Sequence, residues 1–277
     1  MDLQLQGATV CVSGGTKGLG REAALAFARE GARVVVTGRG KEALERVVEQ
    51  LRAAGSPDAF GVQTDVGQLA SIEHAFARIA DRWGELNTLI NMVGPTEPST
   101  GSTFLEVPDD QWQYYFDVGV MSVVRCTRAA VPLMRKAGWG RVINISSVSA
   151  RVGMPMEAPY MTAKAALNGL SKNMAWALAR EGILVNTVTP GVFRTEALRH
   201  FMEATGAVGQ YDPDNLSDIS RWMHDLHGGR GRMGGVIGRV ALPDELAPLL
   251  LLLGSRANSY IVGANIVIDG GTDCSIG

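Results

Sequence analysis

The stretch TVCVSGGTKGLGREAALAF, residues 9–27, contains Gly14, Gly18 and Gly20 between a run of β-branched residues and an alanine-rich segment. The first run is typical of a buried strand, and the apolar residues after the glycines recur at helical spacing. A glycine-rich turn between strand and helix lets backbone N–H groups and a helix N-terminus approach a pyrophosphate, which a side chain would block. The stretch therefore predicts a dinucleotide-binding turn, although a plain turn with a helix cap has the same pattern.

Six further β-branched runs follow along the chain, separated by segments with apolar residues at three-and-four spacing. The predicted strands are residues 8–12, 33–37, 60–64, 87–91, 141–145, 183–187 and 265–269. Nearly continuous apolar strands joined by helices indicate a parallel sheet covered on both faces. We therefore predict an α/β, doubly wound Rossmann fold with a seven-stranded parallel sheet, forming a single dinucleotide-binding domain over residues 1–277.

A long irregular segment from Glu196 to Arg239 interrupts this alternation and is rich in glycine and turn residues. A long insertion late in a compact α/β domain is typical of a binding loop, so we predict a substrate-binding lid at about residues 196–239. Its residues Arg230, Arg232 and Arg239 could meet a carboxylate or phosphate of a substrate. Solvent exposure is the alternative for all three, because arginine is mostly an exposed residue.

The composition favours a small-molecule partner. The chain has 277 residues, a formal net charge of −2, 46% hydrophobic residues and 19% charged residues. This charge balance gives no electrostatic footprint for nucleic acid or for an acidic membrane surface. The N-terminal sequence MDLQLQGATV lacks a basic start, and the apolar run at residues 249–253 is too short to span a bilayer. We expect a cytoplasmic protein.

The cysteine and histidine residues do not form a pattern typical of a metal site. Cys11, Cys126 and Cys274 are far apart and form no C-x-x-C pair, so neither a disulfide framework nor a zinc site is predicted. His224 and His227 are three residues apart but lack further residues at ligand spacing. We expect reduced thiols and no bound metal.

The stretch EAPYMTAKAAL, residues 157–167, contains Tyr160 four positions before Lys164. On a helix these two side chains share one face, so a phenol and an ammonium group are neighbours. A free phenol titrates near pH ~10, and a neighbouring positive charge lowers its pKa. We therefore expect Lys164 to depress the pKa of Tyr160, although the spacing alone is common and does not show that the pair is catalytic.

Taken in order, several short motifs give the chain a specific resemblance. They are SGGTKGLG (13–20), TDV (64–66), NMVG (91–94), NISS (144–147), YMTAK (160–164), TPGVFRT (189–195) and YIVGANIVIDGG (260–271). With these motifs the chain resembles the classical short-chain dehydrogenase/reductase family over nearly its whole length. The resemblance implies an oxidoreductase that interconverts a ketone and a secondary alcohol with a nicotinamide dinucleotide.

The resemblance also implies roles for individual residues. Tyr160 would be the proton donor or acceptor, and Lys164 would assist it and bind the nicotinamide ribose. Ser147, thirteen residues before Tyr160, would hydrogen-bond the substrate oxygen. Met154 and Met156 would form part of a pocket wall, where flexible thioethers suit an apolar surface, although core packing is equally compatible.

The remaining cofactor contacts follow from the same resemblance. Asp65 and Val66 would contact the adenine, and Asn91 and Gly94 the ribose. The residues expected around the pyrophosphate and the nicotinamide are Gly14, Thr16, Lys17, Gly18, Leu19, Gly20, Pro190, Gly191 and Thr195.

Charge at the end of the second predicted strand decides between NAD and NADP. An acidic residue there binds the ribose hydroxyls of NAD, whereas an arginine pairs with the extra phosphate of NADP. The sequence VVVTGRGK has Gly38 where NAD enzymes of the family tend to have Asp, followed by Arg39. Lys17 adds a second cation, so we predict NADP, with two solvated surface cations as the alternative.

The resemblance further implies a homotetramer, with contacts through the segment Asp109 to Lys136 and the helix after Tyr160. Two departures from the family pattern keep other functions open: NMVG replaces the common N-N-A-G, and Gly119 stands where the family usually has an asparagine. One alternative is a dinucleotide-binding sensor or scaffold with little catalysis. Another is a reductase of 3-oxoacyl thioesters. We interpret Gly119 as leaving space for a water molecule, so that Gly119→Asn would keep or raise turnover.

Overall fold

The computed structural model describes residues 2–95, 103–152, 157–226 and 235–273. The strands are β1 (Thr9–Ser13), β2 (Arg33–Gly38), β3 (Ala59–Gln63), β4 (Thr88–Asn91), β5 (Gly140–Ile145), β6 (Ile183–Pro190) and β7 (Asn265–Ile268). The α-helices are α1 (Gly18–Arg29), α2 (Lys41–Ala53), α3 (Leu69–Trp83), α4 (Asp109–Phe116), α5 (Ser122–Ala137), α6 (Ala158–Leu178), α7 (Glu196–Ala204), α8 (Leu216–Leu226) and α9 (Ala247–Gly254). These elements confirm the predicted α/β alternation.

The seven strands form one parallel sheet in the order β3-β2-β1-β4-β5-β6-β7. Strands β1 to β3 therefore extend the sheet in one direction, and strands β4 to β7 extend it in the other, with the reversal between β1 and β4. In doubly wound folds, ligands bind beyond the carboxyl ends of the strands at this reversal. The predicted seven-stranded Rossmann fold is confirmed, and its reversal marks where a ligand is expected.

Burial on both faces explains why the strands are almost continuously apolar. On β1, Val10 and Val12 belong to the cluster with Phe27 of α1, whereas Cys11 between them belongs to the cluster with Ile72 of α3. Alternate residues of a strand point to opposite faces. The helices on each face therefore bury a complete set of alternate residues.

The structure describes some of the cysteine, histidine, arginine and methionine residues considered in the sequence. Cys11 and Cys126 are buried free thiols. No helix within the described ranges is both long and apolar enough to span a membrane. Cys274, His227, Arg230, Arg232, Met154 and Met156 lie outside the described residues.

The segment predicted to be an irregular lid contains α7 and α8. These helices share a small apolar cluster that includes Met202, Ile219, Trp222 and Val240. The sequence pattern missed the two helices because turn residues separate short amphipathic stretches. Arg239 at the end of this segment pairs with Glu245 at 2.7 Å.

Candidate active site

A cavity of about 750 Å³ opens at the carboxyl ends of the strands. It is lined by residues from both halves of the sheet, at the reversal between β1 and β4. Of the predicted site residues, those that line it are Gly14, Thr16, Lys17, Gly18, Leu19, Gly20, Arg39, Asp65, Val66, Gly94, Ser147, Tyr160, Lys164, Pro190, Gly191 and Thr195. The structure therefore brings the separate motifs together around one cavity.

The turn after β1 requires glycine at two positions. Gly14 has a φ of 80°, and a Cβ on it would lie 2.8 Å from Cγ2 of Val93. A Cβ on Gly20 would lie 2.1 Å from the carbonyl oxygen of Gly14, a separation that no real side chain accepts. The turn after β1 and the start of α1 therefore pack backbone against backbone at Gly14 and Gly20 beside the cavity.

This turn fits a pyrophosphate. The N-cap of α1 is Lys17, whose side chain makes no capping hydrogen bond to any described residue. The first N–H groups of a helix have no intrahelical partner and carry a partial positive charge. Uncapped amides at a helix N-terminus that follows a glycine-rich turn are the arrangement that binds phosphate groups.

At the far end of the cavity, Gly38 ends β2 against Thr16. A Cβ on Gly38 would lie 2.7 Å from Cγ2 of Thr16, so an acidic side chain cannot replace this glycine without displacing the threonine. Arg39 and Lys17 are both exposed here and both line the cavity. The carboxylate Oδ1 of Asp65 accepts a hydrogen bond from the backbone of Gly67 at 2.9 Å.

Asn91 is the predicted site residue that does not line the cavity. It is 3% exposed, and its Nδ2 donates to Oδ1 of Asn144 at 2.8 Å. Nδ2 of Asn144 in turn donates to Oγ of Ser171 at 2.9 Å. The Asn91 side chain therefore joins β4 to β5 and α6 beneath the site, and Met92 and Val93 line the cavity beside it.

The three predicted catalytic residues meet above β5. Lys164 is 3% exposed, and its Nζ donates to the carbonyl of Ile145 at 2.7 Å. The same Nζ lies 5.8 Å from the centre of the Tyr160 ring. The side chain of Ser147 interacts with the Tyr160 phenol and lowers its pKa. Pro159 lies in the first turn of α6, where its missing N–H has no helical partner to lose.

The electrostatics of the tyrosine differ from the expectation based on sequence. Burial raises the pKa of Tyr160 to about 12, and the nearby Glu157 and Tyr115 add to the rise, while Ser147 opposes it. Burial lowers the pKa of Lys164 to about 8. The predicted depression of the Tyr160 pKa by Lys164 is therefore wrong for the residues of this chain alone, because the shift is set by loss of hydration and Lys164 is not one of its causes. Tyr160 is held as a neutral phenol, the form that donates a proton.

Gly119 lies in a π-helical turn, Asp117–Met121, that links α4 to α5. It is buried, and a Cβ on it would lie 3.3 Å from Cβ of Ala163 and 3.7 Å from Cδ of Pro95. Turns of this kind are common at functional sites. The space we expected beside Gly119 is taken up by close packing of this turn against α6, so the water-filled gap predicted from the sequence is not supported.

We now expect Gly119→Asn to lower turnover instead of keeping or raising it. The larger side chain has to move α6 at Ala163, between Tyr160 and Lys164, and a shift of a few tenths of an ångström misaligns reacting groups. Steady-state turnover and the midpoint of thermal unfolding should be measured together. Gly119→Ala, which adds a single methyl group, is the control and should have the smaller effect. Full turnover in a folded Gly119→Asn protein would contradict this expectation.

Several cavity residues were missed from the sequence. Asp110, Gln113 and Asp117 line the cavity from α4 and the π-helical turn, and Glu196 lines it from the start of α7. The first three are spaced three and four residues apart, which puts them on one helical face. That polar stripe was the available signal, but it is also typical of a solvated helix surface.

Within the described part of the chain, no three histidine, cysteine, aspartate or glutamate residues are grouped so that they could hold a metal ion.

Comparisons with known proteins agree with this geometry. A family model described as short chain dehydrogenase matches residues 8–205. The uncharacterized oxidoreductase YvrD of Bacillus subtilis (strain 168) is 34% identical over 272 residues, which cover 98% of each protein. The 3-oxoacyl-[acyl-carrier-protein] reductase FabG of Salmonella typhimurium is 30% identical, covering 97% of this chain and 98% of that protein. The structure of L-sorbose reductase from Gluconobacter frateurii with NADPH and L-sorbose matches with a TM-score of 0.89 and 28% identity over 100% of both chains.

Proposed function

The chain belongs to the short-chain dehydrogenase family, and from this premise we propose that it is an NADP-dependent enzyme that interconverts a ketone and a secondary alcohol. It is an oxidoreductase acting on CH–OH and C=O groups, as its family is. The observation that carries the finer proposal is the meeting of Ser147, Tyr160 and Lys164 at one end of a cavity whose other end has Arg39 and Lys17.

The proposed roles of the chain follow from this arrangement. When bound, the nicotinamide supplies or accepts the hydride. Ser147 donates a hydrogen bond to the carbonyl oxygen, and Tyr160 gives that oxygen its phenolic proton during reduction. The ammonium of Lys164 favours the phenolate that remains. In the direction of alcohol oxidation, Tyr160 accepts the proton.

The cofactor would lie along the glycine turn. The uncapped amides of α1 would bind the pyrophosphate, and Asp65 and Val66 would contact the adenine. Pro190, Gly191 and Thr195 would contact the nicotinamide. The side chain of Asn91 would act indirectly, because it is buried beneath the site.

The proposal is tested by following NADPH oxidation against a broad panel of ketones, with the reverse reaction followed on secondary alcohols. We expect turnover on at least one ketone with an apolar body. Tight NADPH binding without turnover on any substrate would contradict the enzyme and favour the sensor or scaffold.

A 3-oxoacyl thioester reductase is the second candidate, favoured by the similarity to FabG over almost the whole chain. Acetoacetyl thioesters therefore belong in the substrate panel. Of the three arginines considered for such a substrate, Arg239 is engaged by Glu245, which leaves Arg230 and Arg232 as the residues to test.

Cofactor preference should depend on Arg39. We expect NADPH to bind more tightly than NADH, and Arg39→Ala to weaken NADPH binding about tenfold or more while leaving NADH binding unchanged, since only NADPH carries the extra phosphate. Dissociation constants from fluorescence titration measure both. Arg29→Ala is the matched control for loss of an exposed arginine, because Arg29 lies at the C-terminal end of α1, away from the glycine turn. Equal affinities for the two dinucleotides in the wild type would refute the assignment to NADP.

We also propose that the protein is a cytoplasmic homotetramer whose residues 196–239 act as the substrate-binding lid. An exposed tryptophan supports the assembly, because Trp176 of α6 is 85% exposed. The start of the segment supports the assignment of a lid, because Glu196 and Ala197 line the cavity.

A further inference from the structure

The five residues that follow β7, Asp269 to Asp273, form a compact turn that we name the C-terminal strap. Asp269 closes it, because its carboxylate accepts hydrogen bonds from the backbone N–H of Gly271 at 2.9 Å and of Asp273 at 2.5 Å. The hydroxyl of Thr272 donates to the carbonyl of Asp269 at 2.9 Å. The strap therefore has a fixed shape set by its own side chains.

One side of the strap packs on the nicotinamide end of the candidate site. The backbone N–H of Gly191 donates to the carbonyl of Ile268 at 2.9 Å. A Cβ on Gly191 would lie 2.7 Å from Cα of Asp269, so the two backbones are in direct contact. Gly191 lines the cavity.

The other side of the strap is joined to the turn that carries the proposed catalytic serine. The carboxylate of Asp273 forms an ion pair and hydrogen bond with the guanidinium of Arg151. The side chains are only 5% and 22% exposed, respectively. Arg151 ends the 3₁₀ helix Val148–Ala150, and its N–H bonds the carbonyl of Val148 at 2.9 Å.

Ser147 is the N-cap of that same short helix. Its Oγ accepts a hydrogen bond from the backbone N–H of Ser149 at 3.2 Å. The hydroxyl of Ser149 donates to Oε2 of Glu157 at 3.2 Å, just before α6 and its Tyr160. The serine hydroxyl is thus oriented by a turn with one end at Ser147 and the other at Arg151.

The ion pair is well suited to hold this turn. A carboxylate with little exposure is costly to bury without a partner, and removing one member of such a pair is far more disruptive than breaking a surface pair. A single turn of 3₁₀ helix has few hydrogen bonds of its own, so its orientation depends on such anchors.

We propose that Asp273 is a positioning residue for Ser147, acting through Arg151 to fix the turn that presents the serine hydroxyl to the substrate. The proposal rests on the proposed function of Ser147. It assigns the C-terminal strap to the substrate end of the active site, although the strap is far from Ser147 in sequence and forms no part of the Ser147, Tyr160 and Lys164 group.

The first test compares Asp273→Asn and Arg151→Gln with the wild type. We expect kcat to fall tenfold or more, with the dissociation constant of NADPH changed less than twofold, because the phosphate-binding turn lies elsewhere. Glu181→Gln, which breaks the exposed ion pair of Arg135 and Glu181 near the amino end of β5, is the matched control and should leave both unchanged. Unchanged kcat in folded Asp273→Asn would overturn the proposal. Arg151→Lys, which keeps the charge, should retain more activity than Arg151→Gln and serves where the latter does not fold.

A double-mutant cycle separates positioning from a general structural effect. If Asp273 acts through Ser147, Asp273→Asn costs less than twofold in a Ser147→Ala background. An equal fold loss in both backgrounds would show that the strap acts elsewhere and would overturn the proposal.

Amide hydrogen exchange of residues 147–152 gives a readout that does not depend on turnover. Asp273→Asn should accelerate exchange in this segment, and Glu181→Gln should not. If the wild type has no turnover, the proposed function fails on its own, and the strap is judged by exchange. Unchanged exchange in Asp273→Asn would then overturn its positioning role.

Discussion

Tyr160→Phe is expected to lower turnover by ~10²–10⁴-fold while NADPH still binds, because the change removes the transferable proton and keeps the ring. The ring has an edge-on contact with Tyr115, with centroids 6.4 Å apart, that phenylalanine can keep. Loss of the hydroxyl should therefore change chemistry more than packing. Steady-state kinetics and fluorescence titration of NADPH measure the two effects separately.

The matched control for this substitution is Tyr260→Phe, since Tyr260 is almost fully exposed and is not among the residues that line the cavity. It should leave turnover and binding unchanged. More than half of wild-type turnover in Tyr160→Phe would mean that the proton comes from another group.

The second large effect is expected on stability. Arg141→Met should lower the free energy of unfolding by about 3–5 kcal/mol, because several buried backbone carbonyls lose their donor at a cost of about 1–3 kcal/mol each. Arg141 is 5% exposed and donates to the carbonyls of Gly140 at 2.7 Å, Ser255 at 3.1 Å and Asn258 at 2.6 Å. Burial lowers the pKa of Arg141 to about 10, so its hydrogen bonds have to offset a loss of hydration.

Methionine fills similar volume but leaves these carbonyls without their donor, and each unsatisfied buried group costs about 1–3 kcal/mol. The measurement is the urea unfolding midpoint. Arg128→Met, on the exposed face of α5, is the control. A midpoint equal to that of the control would show that water or neighbouring N–H groups replace the guanidinium.

Local patterns predicted the sheet closely because each strand is buried on both faces and so is apolar along its length. The largest difference is in β6, predicted to end at residue 187 but continuing to Pro190. In a sequence, proline is typical of the end of a strand because it lacks the backbone N–H that would donate to a neighbouring strand. Here the register pairs Pro190 with Ile268, at the last position of both strands, where the missing donor has little effect.

The sequence predicted the site residues that form short local motifs. These are the glycines of the turn after β1 and the Tyr160 and Lys164 pair on α6. Orientation and burial were not predictable: the motif NMVG identifies Asn91 but does not show that its amide points away from the cavity. The rise in the Tyr160 pKa depends on burial by segments distant in sequence, and the pairing of Arg151 with Asp273 joins residues 122 positions apart.

The contact between Gly38 and Thr16 limits how the enzyme's cofactor preference can evolve. The Cβ of an acidic residue at position 38 clashes with the side chain of Thr16, whether or not its carboxylate contacts a ribose. A smaller residue at position 16 removes that clash, but this change by itself adds no contact with either dinucleotide. The two positions are therefore epistatic, because an acidic residue at position 38 requires Thr16 to shift its side chain or to be replaced by a smaller residue.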